Sequence, residues 1–329
     1  MLPRSRGVAL VFRAAFANPT LRRAGIAYAL YGAAEFGIWI ALLVYADGHG
    51  GASAAMTMVL VQLIPCIALG PFLGALADRR RPSRVLCVAY GLQAVSMTAV
   101  AVAIGTGSPA IVVFALAPLT ALSLTAVRPP QAALLPAIVR TPDELTAANV
   151  LGGWTDAAAA LVGPALVGLL LAWRGPALAV AAMAGMSLLA MGAVVGVTGP
   201  APALASAGDG EARRPADGSM AGVRRALASI RAGARDNVVV VMRNPQIRVL
   251  LALHTFYLVL IGALDLLCVL LAATYLHMGS GGAGFLNAAV GAGALIAGFV
   301  TAFLVGRRRL APTLVVALGV AVVALMLIG

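Results

Sequence analysis

From Asn18 onward the chain alternates long apolar runs with short polar breaks. The runs reach about 20 residues or more, enough to cross a bilayer as a helix. Nine spans are predicted, over 22–46, 52–77, 84–106, 109–134, 144–172, 176–198, 246–275, 281–305 and 312–329. Proline marks many starts, because its missing N–H is not needed in a first helical turn. Asn18-Pro19, Ser108-Pro109, Gly175-Pro176, Asn244-Pro245 and Ala311-Pro312 all sit at or just before a predicted start. Thr141-Pro142-Asp143-Glu144 reads as a capping box with acids in the first turn. The fold class is an all-α membrane protein.

Composition agrees. Charged residues make up 10% of the 329 and hydrophobic ones 62%, against about 25% charge in a soluble domain. The net charge is +12, and every one of the 23 basic residues is arginine. Such a balance raises the question of nucleic acid. The arginines fall between apolar runs, however, not in one groove-sized patch with interleaved aromatics. The expected partner is a lipid bilayer with an anionic inner leaflet, and no nucleic acid. All the arginines except Arg128 and Arg174 fall on one side of the nine-span layout, whereas the loops 46–51, 105–109 and 277–282 have none. By the positive-inside rule the amino terminus is cytoplasmic and the protein is a multi-pass component of the plasma membrane. The first 23 residues have no secretory-signal pattern. Cys66, Cys87 and Cys268 are scattered and read as apolar fillers. No Walker loop, HExxH or GxSxG occurs and the histidines are dispersed, so the expectation is no enzyme, no metal and no cofactor.

Three regions follow: a six-helix half over 1–198, a cytoplasmic linker over 199–245, and a partial second half of three helices over 246–329. The linker begins small and Pro-rich. It then places Val223, Leu227, Ile230 and Ala234 at helical spacing with arginines on the remaining face, an amphipathic helix for the inner membrane surface. An internal repeat links the halves. FRAAFANPTLRRAG (12–25) and VVVVMRNPQIRVLL (238–251) share the order apolar segment, Arg, Asn-Pro, arginine, span; the arginine runs 79–81 and 307–309 recur at nearly the same interval. Parallel six-span repeats joined by a long cytoplasmic loop are a transporter architecture. The second copy stops inside an apolar run. Either the chain lacks about three helices or the gene product is naturally short.

GALADRRRPSR (74–84) resembles the loop between the second and third helices of the major facilitator superfamily, with Gly74, Leu76, Ala77, Asp78 and Arg79 in place. Arg81 stands where that family usually has Gly, and Pro82-Ser83 replace a basic pair, with Arg84 following. QAALLPAIVRTPDELTAANVLGGWTDAAAALVGPALVGLLL (131–171) is similar to the fourth-to-fifth helix region of drug:proton antiporters of the macrolide-efflux and enterobactin-exporter type. The resemblance implies a bundle of two parallel pseudo-repeats. It also implies a cytoplasmic gate formed by Asp78, Arg79, Arg81, Arg84 and Gly74. Gly163-Pro164 allows close helix contact and helix bending. The alternative for the loop is a simple retention turn.

Ionisable groups inside spans are costly and so point to function. Glu35 lies mid-span with Tyr28, Tyr31 and Trp39 on its face, where it could carry a proton or meet a cationic or polar substrate. A structural hydrogen bond is the alternative. Asp265 occupies the repeat-related seventh span, one turn deeper past its Asn-Pro, with His254, Tyr257 and Ile261 on its stripe; His254 reads as a polar contact. Arg128 and Asp156, on sequence-adjacent spans, could pair, as a structural or gating unit in preference to a substrate site. Gly284, Ala288, Gly291, Gly293 and Gly298 permit close helix packing. The expected function is a monomeric secondary transporter exporting a small amphipathic solute, drug or siderophore-like, by proton-coupled alternating access. Its partners are that small-molecule substrate and protons, and Glu35, Asp265, Tyr31 and Trp39 carry the proton and substrate roles. The rival is a non-transporting or regulatory membrane module within a longer chain.

Overall fold

The computed structural model describes residues 18–78, 82–139, 141–197 and 241–304. All regular structure among them is helical: α1 (Pro19–Asp47), α2 (Gly51–Asp78), α3 (Pro82–Gly105), α4 (Ala110–Thr125), α5 (Arg128–Ile138), α6 (Pro142–Arg174), α7 (Pro176–Val194), α8 (Pro245–Leu270) and α9 (Gly282–Leu304). A π turn, Leu271–Tyr275, continues α8. Seven stretches are long and apolar enough to span a membrane, with α4 and α5 counting as one, and α9 adds 23 apolar-rich residues. The spans predicted up to residue 305 are thus present to within a few residues, apart from a correction to the fourth. The ninth span, the amphipathic helix, Arg79, Arg81 and the 307–309 run lie outside the described residues.

The starts follow local chemistry. Asn18 Oδ1 accepts from the amides of Thr20 and Leu21 at 3.1 and 3.3 Å, and Asn244 Oδ1 accepts from Gln246 N at 3.1 Å. Each asparagine satisfies orphan first-turn donors ahead of a proline that has none to offer. Thr141 caps α6 through Glu144 N at 3.1 Å. Gly175, at φ +81°, ends α6 and begins α7 with no intervening loop, a left-handed conformation that glycine adopts without strain. Arg23 donates to the carbonyls of Ala193 at 3.2 Å and Val195 at 2.5 Å and so closes the end of α7.

The fourth span is two helices, not one. Pro129 and Pro130 follow Arg128, and neither can donate the amide that would continue α4, so α4 stops at Thr125 and α5 restarts at Arg128. Val127 N turns back to Leu124 O at 3.2 Å in a tighter turn. The break places Arg128 on the first residue of a new helix instead of late in an old one.

α1 lies at the centre, with α6, α7 and α2 around it, while α3 packs on α7 and α4, and α2 on α4. Outward faces carry Ile67, Val88, Ile111 and Leu189, all strongly exposed and suited to hydrocarbon. Of the two helices that follow the 199–245 stretch, α9 runs along α6, and α8 touches α9, α1 and α2 only lightly. Backbone proximity sets the α6 contacts. A Cβ on Gly163 would strike the Ala33 carbonyl of α1, and one on Gly168 would lie 2.9 Å from Gly281 O and 3.2 Å from Gly284 Cα. Pro164 leaves the Ala160 carbonyl without its helical donor, and Gly291 of α9 sits directly against that carbonyl. Ser280 Oγ donates to Leu171 O at 3.1 Å farther along. The helix α6 is continuous through Gly163-Pro164, and Gly163 serves there as the point of closest approach to α1.

Candidate functional site

The break between α4 and α5 builds the site. Arg128 projects toward α1, and its Nη2 lies 2.8 Å from Glu35 Oε2. The Glu35 side chain is 24% exposed and that of Arg128 51%, so the pair is not sealed in the core. Tyr31, one turn before Glu35, is fully buried. Its hydroxyl donates to Leu124 O at 3.2 Å and lies beside the Glu35 carboxylate. Tyr31 therefore ties α1 to the helix break that presents Arg128. It stacks with Tyr28 at 6.2 Å between ring centroids and meets Tyr90 of α3 at 5.7 Å.

The expected pairing of Arg128 with Asp156 is corrected. Arg128 gives its charge to Glu35, and Asp156 Oδ1 accepts instead from the Tyr28 hydroxyl. The reason is geometric: Glu35 and Tyr28 lie two turns apart on one face of α1, so the guanidinium at the α5 start meets the first and α6 meets the second. Tyr28, Tyr31, Glu35, Arg128 and Asp156 form one polar group inside the bundle.

Beside them lies a cavity of about 500 Å³. Tyr28, Arg128 and Asp156 line it with Tyr90, Gln131 and Asn149, and the rest of the wall is largely leucine, alanine and glycine. Among the described residues, Gln131 Oε1 is buried without a donor. A broader furrow between α3 and α7, edged by Trp173 and Arg174, is mostly apolar and has no acid on its wall.

Other expected residues sit elsewhere. Trp39 lies one turn beyond Glu35, its Nε1 buried without a hydrogen bond, and the Asp265 carboxylate of α8 is its neighbour. Asp265 is half-buried and joins no ion pair among the described residues. His254 lies on the exposed run of α8. Gly74 and Asp78 are in the closing turns of α2, and Arg84 is exposed in the first turn of α3. Tyr28 shares the Glu35 face in the sequence, but its link to Asp156, and the parts of Tyr90 and Gln131, carry no sequence signal because three other helices supply the setting.

The sequence matches the family model of the Major Facilitator Superfamily over residues 24–329. Set against individual curated proteins, it finds no match.

Proposed function

Because the chain belongs to the Major Facilitator Superfamily, a family of membrane transporters, we propose that it is a secondary transporter exporting a small amphipathic solute in exchange for protons. It would do so as a monomer in the plasma membrane, with its amino terminus cytoplasmic. The observation that supports this reading is the Glu35–Arg128 pair, whose arginine lines a solute-sized cavity within the bundle. An intramembrane acid held by one cation has two stable arrangements: charged and paired, or neutral and released. Protonating Glu35 frees Arg128, and with it the start of α5, so a proton and a conformational change are coupled through one contact. Asp265, beside Trp39 of α1, is the second carrier and lies where α8 of the other half meets α1. Asp78 with Arg79, Arg81 and Arg84 forms the cytoplasmic gate, since an ion cluster at a wet interface is made and broken at modest cost.

Inverted vesicles carrying a pH gradient test the reading, with a macrolide, a catecholate siderophore and an aromatic cation as probes. At least one probe should dissipate the gradient, and Glu35→Gln should abolish the response. Full dissipation by the variant removes Glu35 from the mechanism. For orientation, cysteines placed at Gly50 and Ser280 should react with an impermeant maleimide from outside intact cells.

A further inference from the structure

The furrow between α3 and α7 lies apart from the Glu35 cavity. It has a volume of about 820 Å³ and no acid on its wall. Small residues leave the space: Ala101 and Ala184 are buried there, with Ala177 and Gly185 beside them. A Cβ on Gly185 would meet nothing within 4 Å. Val102, Leu178 and Leu188 border the furrow and are exposed, so it opens on the outward face of the bundle, toward hydrocarbon. At a helical rise of about 1.5 Å per residue, the run from Ala177 to Leu188 is about 16 Å long. That is close to half of a hydrocarbon core of about 30 Å, the depth of one leaflet. Trp173 and Arg174 stand at the end where α7 begins. Trp173 is 69% exposed, and the Arg174 guanidinium lies 5.5 Å from the centre of its ring. Arg174 joins no ion pair among the described residues. The end of α6 does not call on it either, because Gly175 N–H already caps the carbonyls of Leu170 and Leu171. In the nine-span layout Arg174 is alone at the surface opposite the arginine-rich loops, against the usual bias of basic residues.

We propose that the α3–α7 furrow holds one anionic phospholipid, its phosphate on Arg174 and one acyl chain laid along α7. A guanidinium presents paired N–H donors that match phosphate oxygens. A tryptophan beside it belongs at headgroup depth, and its ring keeps the guanidinium at the mouth of the furrow. Any lipid tail fits an apolar groove, so the charge decides the headgroup. With one cation and no acid, the rim attracts an anionic headgroup, whereas the amine of a zwitterionic one finds no carboxylate to meet. The α6 and α7 helices join at Gly175 without a loop, and a lipid held there bears on both. The inference is independent of the transporter reading.

Photolabelling of the full chain in phosphatidylcholine nanodiscs tests this. The probe is a minor fraction of phosphatidylglycerol with a diazirine in one acyl chain, and peptide mass spectrometry maps the adducts. Ile67 on α2 and Ile111 on α4, both strongly exposed, report ordinary boundary lipid. Labelling of 98–102 and 177–188 should exceed that baseline about fivefold. A phosphatidylcholine probe with the same diazirine chain should show no excess. Arg174→Gln should abolish the excess, and Arg174→Lys, which keeps a charge for the phosphate, should retain it. Gly185→Phe fills the furrow from a position with room for a side chain, and should remove the excess while thermal unfolding is unchanged. Equal labelling by the two probes means boundary lipid only and overturns the inference. So does an excess that survives Arg174→Gln or Gly185→Phe, or one lost as fully in Arg174→Lys as in Arg174→Gln. Displacement of the probe by glycerophosphoglycerol, the headgroup without its chains, would make the ligand a soluble phosphodiester and overturns it too.

Discussion

Glu35 on α1 and Asp265 on α8 each follow an Asn-Pro helix start, Asp265 one turn deeper, and each has aromatic residues at helical spacing. Their surroundings differ. Glu35 has a guanidinium at 2.8 Å and a buried tyrosine beside it, within a helix enclosed by α2, α6 and α7. Asp265 has the Trp39 indole beside it and no ion pair among the described residues, and most of α8 before it, including Leu250, Leu253 and Phe256, is strongly exposed. The same sequence signal thus yields a paired charge on α1 and, among the described residues, one without an ion pair on α8. What separates them is enclosure. A carboxylate inside a bundle has to be matched, and α5 supplies the match, whereas one at the margin of a lightly packed helix does not.

The strongest way to break the contrast is to loosen the enclosure of α1. In Gly163→Val the new side chain has to displace the Ala33 backbone, an overpacking of about 3 kcal/mol. Thermal unfolding in detergent, read by a thiol-reactive dye that reaches buried Cys268 only on opening, should show the largest loss of any variant considered. Gly168→Val, which pushes α9 off α6 instead, tests whether the second half depends on that one seam. Unfolding in two separate steps is the expected outcome.

Removing the match comes next. Arg128→Met leaves Glu35 uncompensated. A fully buried pair broken in this way costs about 3–5 kcal/mol, and the half-exposed guanidinium brings that down to about 1–2 kcal/mol. Glu35→Gln combined with Arg128→Met should recover most of the loss. A double variant no better than Arg128→Met would show that the arginine acts through packing and not through the pair.

The break in the fourth span explains why this partner was hidden in the sequence. Helix starts were legible because Asn18, Thr141 and Asn244 act on amides two or three residues away, and so were the spans, which need only length and apolarity. The Arg128-Pro129-Pro130 triplet also carried a local message, that the helix cannot run through it. Which acid Arg128 meets is a different kind of fact. It depends on the rotation of α1 against α5 and α6, and Glu35 and Asp156 are equally good acids by sequence. Gly163 illustrates the same limit: beside Pro164 it allows either a bend or a close helix contact, and only the Ala33 backbone opposite it shows which element it meets.

A smaller effect compares the two caps. Asn18→Ala and Asn244→Ala both strip a first turn, at about 1 kcal/mol each. Asn18 is buried and also donates through Nδ2 to Ile138 O at 3.3 Å, tying α1 to the end of α5, whereas Asn244 is exposed. Asn18→Ala should therefore cost about 1 kcal/mol more, the worth of that extra bond. Equal losses in the unfolding assay would mean that the tie to α5 contributes nothing.

The smallest expected change in stability carries the most information. Asp265→Asn keeps the shape of the side chain and removes its charge. No ion pair among the described residues is lost, and an amide of the same shape fits beside the Trp39 indole as a carboxylate does. The variant should stay within about 0.5 kcal/mol of the parent, as substitutions away from special contacts do. If Asp265 is a proton carrier, the same variant should nevertheless lose solute-driven proton exchange in inverted vesicles. Stability kept and coupling lost is the pattern expected of a charge that function needs and the fold does not. A destabilisation as large as that of Arg128→Met would place Asp265 in a structural pair instead, and the two acids would then be equivalents after all.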